Sequence, residues 1–495
     1  MSAALASLLP GRDVPDVVVS GLALDSRAVE AGDAFCAVAG EVADGHDFVD
    51  AAVSCGAAVI LSERAVDAAV PVVVVPGLRD ELSAIADRLF AAPSRALRCV
   101  GVTGTNGKTT VAHCVAALAT ALGERAGFIG TTGWGIAGEA QASATLTTAD
   151  PIALQVRLRS LADRGATVAA LEVSSHALDQ RRADAVRFAV GVFTNLTRDH
   201  LDYHGDMAAY GAAKRRLFEL PSCTRAVING DDAFGAEMAA TLRAADDARE
   251  IYVLTRGDTA EHTVRINELR ATPRGLSWRL ITPWGDGEIE SQLVGDFNAD
   301  NLSAAIVALA AIGFDFAALC AAAGSISAPA GRLQRVSERP ELPAVYVDYA
   351  HTPDALDSAL RALKAHTAGR LLCVFGCGGD RDPGKRAPMG AAAAAHSDGV
   401  WVTSDNPRGE DPASIVEMAA AGVGTDTEVV LQVDRKLAID AAVAAARTDD
   451  TVLIAGKGHE DYQEIRGERR PFSDLLVAQA ALDAYAANLS GGLGR

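Results

Sequence analysis

The feature that most constrains this chain is a glycine-rich turn between a buried strand and a helix. The apolar run at 97–103 predicts a strand, and the residues from Lys108 onward have the apolar periodicity of a long helix. Between them, residues 101–110 read Gly-Val-Thr-Gly-Thr-Asn-Gly-Lys-Thr-Thr. Backbone N–H groups and the dipole at a helix N-terminus bind phosphate. The turn therefore predicts a phosphate-binding loop on an α/β sheet.

Lys108 and Thr109 have defined roles in such a loop. The lysine would reach the β- and γ-phosphates of a nucleotide, and the threonine hydroxyl would meet Mg²⁺. The strict pattern G-x-x-x-x-G-K-[ST] fails at one position, because Val102 stands where its first glycine belongs. A structural glycine-rich turn is the alternative, but the place between strand and helix favours phosphate binding. The residues predicted to hold ATP phosphates are Gly104, Thr105, Asn106, Gly107, Lys108, Thr109 and Thr110.

Three more positions in the middle of the chain are candidates for chemistry. Glu172 lies near the end of the predicted strand at 168–173, where a carboxylate can bind Mg²⁺, although such glutamates are commonly solvated or capping groups. His200 lies in the loop 194–204, whose two histidines and two aspartates could ligate a metal or form an ordinary polar loop. Lys214 lies in a helical stretch, and its residue type alone predicts a solvated surface lysine.

Polar clusters follow four predicted strands in the last third of the chain. These strands alternate with helical segments, which is typical of βαβ units and a parallel sheet. They are predicted at 345–349, 371–375, 399–403 and 452–455. The clusters are 348–354, 376–386, 405–408 and 456–460. Single loops of this kind are often solvated turns, but four at the carboxyl edge of one sheet predict a ligand site.

Composition excludes several classes of protein. The chain has 495 residues, of which 49% are hydrophobic, so it is too apolar to be disordered. Its 45 Lys and Arg against 64 Asp and Glu give a net charge of −19, which disfavours nucleic-acid and anionic membrane partners. Eight scattered cysteines, with no CxxC pair and no secretory signal, favour the cytoplasm. Cys373 is expected as a buried strand thiol and Cys377 as a loop thiol, with a redox pair as the alternative.

One apolar stretch imitates a membrane span. Residues 302–325 are almost entirely apolar, but they are rich in alanine and interrupted by Gly313, Phe314 and Asp315. They predict two buried helices joined by a turn rather than one spanning helix. Length and motif positions together predict three domains, at 1–97, 98–328 and 329–495.

Together these motifs resemble the Mur ligases of bacterial peptidoglycan synthesis, in the family's order and over essentially the whole chain, from Asp25-Ser26-Arg27 to residues 456–463. The resemblance implies an α/β fold with an N-terminal UDP-binding domain, a central P-loop ATPase domain with a parallel sheet, and a C-terminal Rossmann-like domain. It implies that ATP phosphorylates a D-glutamyl carboxylate to an acyl phosphate, which an amine attacks. The motifs are most similar to those of ligases that add meso-diaminopimelate to UDP-N-acetylmuramoyl-L-alanyl-D-glutamate.

The resemblance also assigns residues to each ligand. It assigns the uridine end of the substrate to Leu24, Ser26, Glu41, Val42 and Ala43. It assigns the muramoyl dipeptide to Asn106, Thr147, Thr148, Ser174, Gln180 and Arg182. Besides the phosphate loop, it assigns ATP to Asn298, Asn301, Arg332, Asp348 and His351. It assigns the incoming amino acid to Arg381, Asp405, Asn406, Pro407, Arg408, Gly456 and Glu460.

The implied catalytic residues are Lys108, Glu172, His200 and Lys214. The implied Mg²⁺ residues are Thr109, Glu172, His200 and a carbamylated Lys214, so the resemblance replaces the surface-lysine interpretation of that residue. Acyl phosphate formation brings an anionic carboxylate to anionic ATP, and Lys108 and Mg²⁺ offset this repulsion. The expected partners are ATP, the UDP-muramoyl dipeptide and diaminopimelate, bound by a monomeric cytoplasmic enzyme.

Several alternatives stay open at this point. A lysine-adding homologue, another Mur enzyme or a folylpolyglutamate synthetase would share the phosphate loop and the region of Arg332. A regulatory P-loop switch would bind nucleotide without amino-acid-dependent turnover, and a DNA-acting ATPase is disfavoured by the negative charge. Arg408 is expected to recognise the distal carboxylate of diaminopimelate, which lysine lacks. Its alternative is a surface ion pair with Glu410 or Asp411.

Overall fold

Contacts in the computed structural model divide the chain into two units. The model describes residues 1–40, 43–144, 146–245, 248–257, 263–272, 274–425 and 427–492. The first unit comprises Met1–Arg265, Thr282–Gly285 and Ser303–Leu319, and the second comprises Ile266–Ile281, Asp286–Leu302 and Cys320–Arg495.

The first unit begins with a small parallel sheet. The elements in this part of the chain are β1 (Ala3–Ala4), α1 (Leu5–Leu8), β2 (Val18–Val19), β3 (Leu22–Ala23), β4 (Ala34–Ala37), α2 (Val49–Ser54), β5 (Val59–Ser62), β6 (Val72–Val74) and α3 (Leu78–Leu89). Strands β3 to β6 pair in chain order, all parallel. Strands β4 and β5 are wholly buried, and leucines of α1 and α3 pack into the core on one face. Val49 and Ala52 of α2 belong to a second core cluster with Phe35 and Ile60, so both faces of the sheet are covered, as is typical of parallel sheets.

A larger sheet follows. Its elements are β7 (Arg98–Thr103), α4 (Lys108–Ala121), β8 (Ala126–Gly130), β9 (Gly133–Ile136), α5 (Pro151–Asp163), β10 (Val168–Glu172), α6 (Ser175–Asp179), β11 (Phe188–Phe193), α7 (Leu201–His204), α8 (Met207–Glu219), β12 (Arg225–Asn229), α9 (Ala233–Ala244) and β13 (Glu250–Thr255). The strand order β13-β12-β11-β7-β10-β8-β9 is parallel except for β9. The strands predicted in this region are confirmed to within one residue at each end.

The apolar stretch at 302–325 forms two helices, as predicted. The elements after β13 are β14 (Val264–Thr272), β15 (Gly275–Thr282), β16 (Gly285–Ser291), α10 (Phe297–Ala311) and α11 (Phe316–Ala322). A turn that includes Gly313 separates α10 from α11. Among the described residues, no helix combines the length and the apolar character that crossing a membrane requires.

The second unit contains a six-stranded sheet. Its elements are β17 (Gln334–Arg335), β18 (Ala344–Asp348), α12 (Pro353–Lys364), β19 (Leu371–Cys377), α13 (Arg386–His396), β20 (Gly399–Ser404), α14 (Pro412–Ala420), β21 (Glu428–Leu431), α15 (Arg435–Ala445), β22 (Thr451–Ala455), β23 (Tyr462–Ile465), β24 (Glu468–Pro471) and α16 (Asp474–Gly492). The order is β17-β18-β22-β19-β20-β21, and the last five strands are parallel. The α/β class predicted for this part of the chain is confirmed.

The register of this sheet brings the four polar clusters to one edge. Asp348, the last residue of β18, pairs with Ala455, the last residue of β22. On the next strand, β19, Cys377 pairs with Ser404, the last residue of β20. The prediction of a shared carboxyl edge is therefore confirmed. Cys377 itself is a buried strand residue, so its assignment to a loop was wrong; the strand continues two residues beyond the predicted end.

A fully buried ion pair joins the starts of two helices in this unit. Arg435 begins α15 and Asp474 begins α16; the Nε and Nη2 atoms of Arg435 each donate to a carboxylate oxygen of Asp474, both at 2.7 Å. Both side chains have 0% exposure. Arg435 also donates to the carbonyls of Ser404 and Ala455, at 3.2 and 3.0 Å. One buried guanidinium thus connects the ends of β20 and β22.

Replacement of Asp474 by Ala should be strongly destabilising, because it leaves the Arg435 charge buried without its partner. Breaking such a pair costs about 3–5 kcal/mol. The matched control is Asp483→Ala in the same helix, where the exposed pair with Arg339 contributes about 0–1 kcal/mol. Urea unfolding of both variants measures the difference. Equal unfolding free energies for the two variants would contradict the role given to the buried pair.

Candidate active site

The phosphate loop between β7 and α4 is held against the loop that follows β11. Gly104 has a φ of +144°, and a Cβ on it would lie 1.9 Å from the Thr194 Oγ1 atom, so only glycine fits. Thr194 donates its hydroxyl to the carbonyl of Asn106 at 2.5 Å, and Thr105 donates its N–H to the carbonyl of Asn195 at 2.8 Å. Val102 is a buried residue of β7, so the loop begins only at Gly104.

Two lysine side chains converge on one carbonyl of this loop. The Lys108 Nζ atom donates to the carbonyls of Gly104 and Thr105, at 2.8 and 2.7 Å. From α8, the Lys214 Nζ atom donates to the same carbonyl of Gly104 at 2.8 Å. Lys214 is 1% exposed, so the interpretation as a surface lysine was wrong. Residue type could not reveal this, because the burial depends on how α8 packs beside the loop.

The surroundings of Lys214 disfavour its charged form. Burial, reinforced by the nearby charge of Lys108, lowers the pKa of Lys214 to about 6, while Asp199 acts weakly in the opposite sense. At pH 7 an amine with that pKa is about nine-tenths neutral. The Tyr210 ring centroid lies 4.2 Å from its Nζ atom. Lys214 therefore carries a nucleophilic amine in a largely dry place beside the phosphate loop.

Glu172 and Thr109 form the carboxylate side of the site. Thr109 donates its hydroxyl to Glu172 Oε2 at 2.9 Å. Thr131 donates its N–H to Glu172 Oε1 at 2.8 Å and its hydroxyl to Oε2 at 3.1 Å. Glu172 is 1% exposed, and burial raises the pKa of its carboxyl above the usual range despite these hydrogen bonds. The structure thus brings together two of the four residues expected to meet Mg²⁺, and it adds Thr131.

His200 lies in an aromatic cluster. Its half-exposed ring is 4.9 Å from the ring of His176, and Asp199 lies 3.5 Å from its Nε2 atom. The cluster also contains His204, Tyr203 and Tyr210. Burial lowers the pKa values of His176 and His204. Within the described residues no group of three or more His, Cys, Asp or Glu side chains could hold a metal ion.

Five of the six residues predicted to bind the muramoyl dipeptide, all except Asn106, belong to one hydrogen-bonded network in the first unit that runs through Thr131 and Glu172. Thr147 lies 3.0 Å from Thr131 through their hydroxyls, and Thr148 accepts from the N–H of Ser174 at 3.0 Å. Arg182 donates to the carbonyl of Thr148 at 2.9 Å and to the side-chain oxygen of Gln180 at 2.5 and 3.0 Å. The phosphate-loop residue Asn106 donates its N–H to Asn195 at 2.9 Å.

The residues predicted for the uridine end lie in the small N-terminal sheet region. Leu24 follows β3 and packs at the edge of the core, and the largely buried Ser26 begins a short 3₁₀ helix capped by Asp25. Ala43 is exposed, and its carbonyl accepts from the N–H of Gly40 at 2.9 Å. Glu41 and Val42 lie outside the described residues.

In the second unit, the residues predicted to face the nucleotide are mostly engaged in local structure. Asn301 donates to Asn298 at 2.9 Å, and Asn298 donates to the carbonyl of Val294 at 2.8 Å. The carboxylate of Asp348 accepts the N–H groups of Leu333 and Ala350, at 2.7 and 2.8 Å, and burial raises its pKa.

The side chains of Arg332 and His351 border one aromatic ring. The Arg332 guanidinium lies over Tyr349 at 5.1 Å from the ring centroid, and the His351 ring lies 4.7 Å from the same centroid. The structure therefore brings these two residues together around Tyr349, which the sequence did not single out.

The residues predicted for the amino-acid pocket line the carboxyl edge of the six-stranded sheet. Asn406 donates to Glu460 at 2.9 Å, and Gly456 lies against Asp405. Arg408 has a φ of +49° and donates from Nη1 to the carbonyl of Gly379 at 2.8 Å. Arg381 is exposed.

The surface pair proposed as the alternative for Arg408 is absent. Glu410 pairs with Arg386 instead, at 2.7 Å between Oε1 and Nη2, and the Asp411 side chain caps the N-terminus of α14. In the described chain no carboxylate pairs with Arg408, so its guanidinium can take an external carboxylate. Pro407, predicted with the same pocket, is buried beside it.

Several residues of the site escaped the sequence reasoning. Thr131 and Tyr210 carry no motif, and Arg435 and Asp474 are 39 positions apart. Lys457 stood inside the Gly456–Glu460 motif but had no role, although its burial next to Glu460 is a feature of the pocket. Only the glycines flanking Lys457 were a usable sequence signal.

Three family models match the chain in succession. Residues 18–90 match the model described as Mur ligase family, catalytic domain; residues 102–309 match the Mur ligase middle domain; and residues 331–458 match the Mur ligase, glutamate ligase domain. Together these matches span most of the chain.

Curated relatives match at full length. A UDP-N-acetylmuramoyl-L-alanyl-D-glutamate–2,6-diaminopimelate ligase of Ectopseudomonas mendocina is 47% identical over 98% of this chain and 99% of its own. The enzyme of that name from Pseudomonas aeruginosa is 45% identical over 95% of this chain and 96% of its own.

Solved structures agree with these matches. The structure of a ligase of the same name covers 98% of this chain and 100% of its own at 37% identity, with a TM-score of 0.76. A folylpolyglutamate synthase of Mycobacterium tuberculosis, at 22% identity and a TM-score of 0.60, covers 76% of this chain and 92% of its own and shares the fold alone. With its phosphate loop, its α/β sheets and these matches, the chain belongs to the Mur ligase family of ATP-dependent ligases.

Proposed function

We propose that this protein joins meso-2,6-diaminopimelate to the D-glutamyl carboxylate of UDP-N-acetylmuramoyl-L-alanyl-D-glutamate. A carboxylate oxygen attacks the γ-phosphorus of ATP and ADP leaves; the amine nitrogen then attacks the acyl phosphate, inorganic phosphate leaves and the nitrogen loses a proton. The observation that carries the proposal is the phosphate loop on which Lys108 and Lys214 converge. The names of the relatives at 45–47% identity support the substrates.

The two units would contribute different groups. In the first unit, Lys108 and the loop N–H groups would bind the ATP phosphates, and the network from Thr147 to Arg182 would bind the dipeptide. In the second unit, the edge that carries Asp405 to Arg408 and Glu460 would bind the amino acid. Preorganised donors of this kind stabilise the charge that develops during phosphoryl transfer.

The residues around Glu172 fit a magnesium ion. Magnesium prefers oxygen ligands and binds through one or two carboxylates together with substrate phosphates and water. Glu172 and Thr109 supply such oxygens next to the loop, 2.9 Å from each other. When bound, the ion would offset the negative charge of ATP and of the substrate carboxylate. We propose His200, whose ring lies in the aromatic cluster, as a further ligand of this ion, as the family resemblance implies.

Lys214 fits a carbamylated lysine. Carbamylation requires a neutral amine that attacks CO₂, and the burial of Lys214 favours the neutral form. The product carries a carboxylate, which would place a negative charge beside Lys108 where the unmodified residue has a largely neutral amine. The modification would thus add an attraction to the charge of Lys108.

Arg408 supports diaminopimelate over lysine as the amino acid. The two differ by one carboxylate at the distal end, and a guanidinium binds a carboxylate through two parallel hydrogen bonds. The Arg408 backbone is fixed by pairing with Glu464 and Arg466, so its position is set before a ligand arrives. Eight free cysteines support a reducing compartment, and we place the enzyme in the cytoplasm, in cell-wall precursor synthesis.

Replacement of Lys108 by Ala should leave the fold intact and lower kcat about 100- to 1000-fold, the effect of losing one preorganised donor. Phosphate release in the presence of all three substrates measures it. Lys364→Ala, which removes an exposed lysine paired with Asp398, is the control and should keep normal turnover. Near-normal turnover of Lys108→Ala would contradict the assignment of the phosphate loop.

Replacement of Lys214 by Ala should lower kcat by about 100-fold or more, because both the carbamate and its charge are lost. Short carboxylic acids added in excess should restore part of the activity by supplying a carboxylate. Carbon-13 NMR of the wild-type protein under labelled CO₂ should show a carbamate signal that Lys214→Ala lacks. An identical spectrum from both proteins would contradict the carbamylation.

Wild-type protein should release phosphate with diaminopimelate about 100-fold or more better than with lysine, because two charge-assisted hydrogen bonds are at stake. In Arg408→Ala this preference should collapse while nucleotide affinity persists. Arg361→Ala, in an exposed pair with Asp357, is the control. Equal or better use of lysine by the wild-type enzyme would overturn the specificity but not the ligase reaction. Release with neither amino acid would overturn both.

A further inference from the structure

Lys457 is a completely buried cation to which the reaction gives no role. It follows β22, and its side chain is 0% exposed. Its Nζ atom donates to Glu460 Oε2 at 2.8 Å and to Asn406 Oδ1 at 3.1 Å. A buried ammonium is stable only when such partners compensate for the water it has lost. The two side-chain hydrogen bonds of Lys457 thus go to two residues of the amino-acid pocket.

The backbone before Lys457 requires glycine. Gly456 has a φ of +121°, and a Cβ on it would lie 2.6 Å from a carboxylate oxygen of Asp405. The close approach holds the loop against the pocket, and the ring of Tyr462 lies 5.5 Å from the Lys457 Nζ atom on another side. Because the loop is held in this way, the fold fixes the position of the Lys457 ammonium next to Glu460.

The two oxygens of Glu460 are in different situations. Oε2 accepts from Lys457 and also from Asn406 Nδ2, the latter at 2.9 Å. Among the described residues, no donor contacts Oε1. The side chain is 22% exposed, so the carboxylate is anchored through Oε2 and the side chain stays partly accessible.

We propose that Lys457 is a positioning residue for the amino-acid substrate: it anchors Glu460 through Oε2 and leaves Oε1 to bind an ammonium group of that substrate. The proposal rests on the function proposed above, which gives Glu460 to the amino-acid pocket. Diaminopimelate carries two ammonium groups, and a fixed carboxylate selects a cation more effectively than a mobile one, because less entropy is lost on binding.

The electrostatics of the loop agree with this role. Burial acts to raise the pKa of Glu460, but the hydrogen bond and charge of Lys457, with help from Asn406, outweigh it and lower that pKa. The other titratable and charged groups near Glu460 are His459 on its own loop, Arg435 on α15, Asp405 after β20, and Tyr349 after β18 with Arg332 beside it. Lys457 is the charged group that contacts the carboxylate directly.

The test is Lys457→Met, which keeps much of the apolar stem and removes the charge. We expect the KM for diaminopimelate to rise about 10- to 100-fold, the loss of one charge-assisted hydrogen bond. The KM for ATP should stay within about twofold, because the change acts on one substrate. The rise should be larger at pH 6 than at pH 8, since Glu460 without Lys457 has a higher pKa and takes up a proton as the pH falls.

Lys436→Met is the matched control. Lys436 lies at the start of α15, pairs with Asp440 on the surface and is 58% exposed. It should change neither KM nor the pH profile. A purely structural role for Lys457 would raise the KM for every substrate and leave the pH profile of diaminopimelate unchanged, and that result would overturn the proposal.

A double-mutant cycle separates anchoring from folding. In a Glu460→Gln background, Lys457→Met should change the KM for diaminopimelate by less than about twofold, because its target is already neutral. The unfolding midpoint of the double variant should fall by less than the sum of the two single decreases, since the double variant leaves no unpaired buried charge. Additive effects on the KM and on the unfolding midpoint would overturn the positioning role. Failure of both Lys457→Met and the double variant to fold would also overturn it.

The outcome also separates this proposal from the function it rests on. Wild-type protein that releases no phosphate with diaminopimelate would overturn the proposed function. Wild-type turnover together with an unchanged KM in Lys457→Met would leave the function standing and overturn only the role of Lys457.

Discussion

The carbonyl of Gly104 accepts hydrogen bonds from two lysines, Lys108 and Lys214. The large sheet of the first unit brings them together, because Lys108 begins α4 and Lys214 lies on α8. Two ammonium groups at one carbonyl repel each other, so one must lose its proton or an anion must lie nearby. Burial acts on Lys214, whose pKa falls to about 6. In a chain with a net charge of −19, Lys108 thus keeps a local positive charge at the phosphate loop, which suits the phosphate binding proposed above.

In the second unit, buried cations are compensated by side chains of the protein itself. Arg435 is compensated by Asp474, Arg386 by Glu410, and Lys457 by Glu460 and Asn406, so each of these buried cations has a partner within the protein. Both cations also hold the loops at the carboxyl edge of the sheet, since Arg435 donates to the ends of β20 and β22. Buried ion pairs contribute little net stability, but they define one arrangement of the groups around them. That property suits a pocket that has to recognise charged groups on an amino acid.

Much of the fold was predictable because its signals are local. The strands that were predicted are short apolar runs, and the motif loops stand directly after them, so the positions of those strands and the shared edge followed from pattern alone. The exceptions have physical reasons. Strand β19 extends to Cys377 because the Gly-Cys pair at its end remains hydrogen-bonded to β20, which no apolar run signals. Lys214 was misread from its residue type because burial is a property of packing and not of the residue.

The sequence by itself determined the phosphate loop, the α/β class, the family and the set of polar residues at strand ends, since all of these depend on residues that are near one another in the chain. Only the tertiary structure decided how these residues combine. It joined Thr131 to Glu172, left Arg408 without the carboxylate of Glu410, and buried Lys457 against Glu460. The physical reason is that a buried charge takes whichever partner packing brings within reach, and the distance along the chain does not reveal that partner.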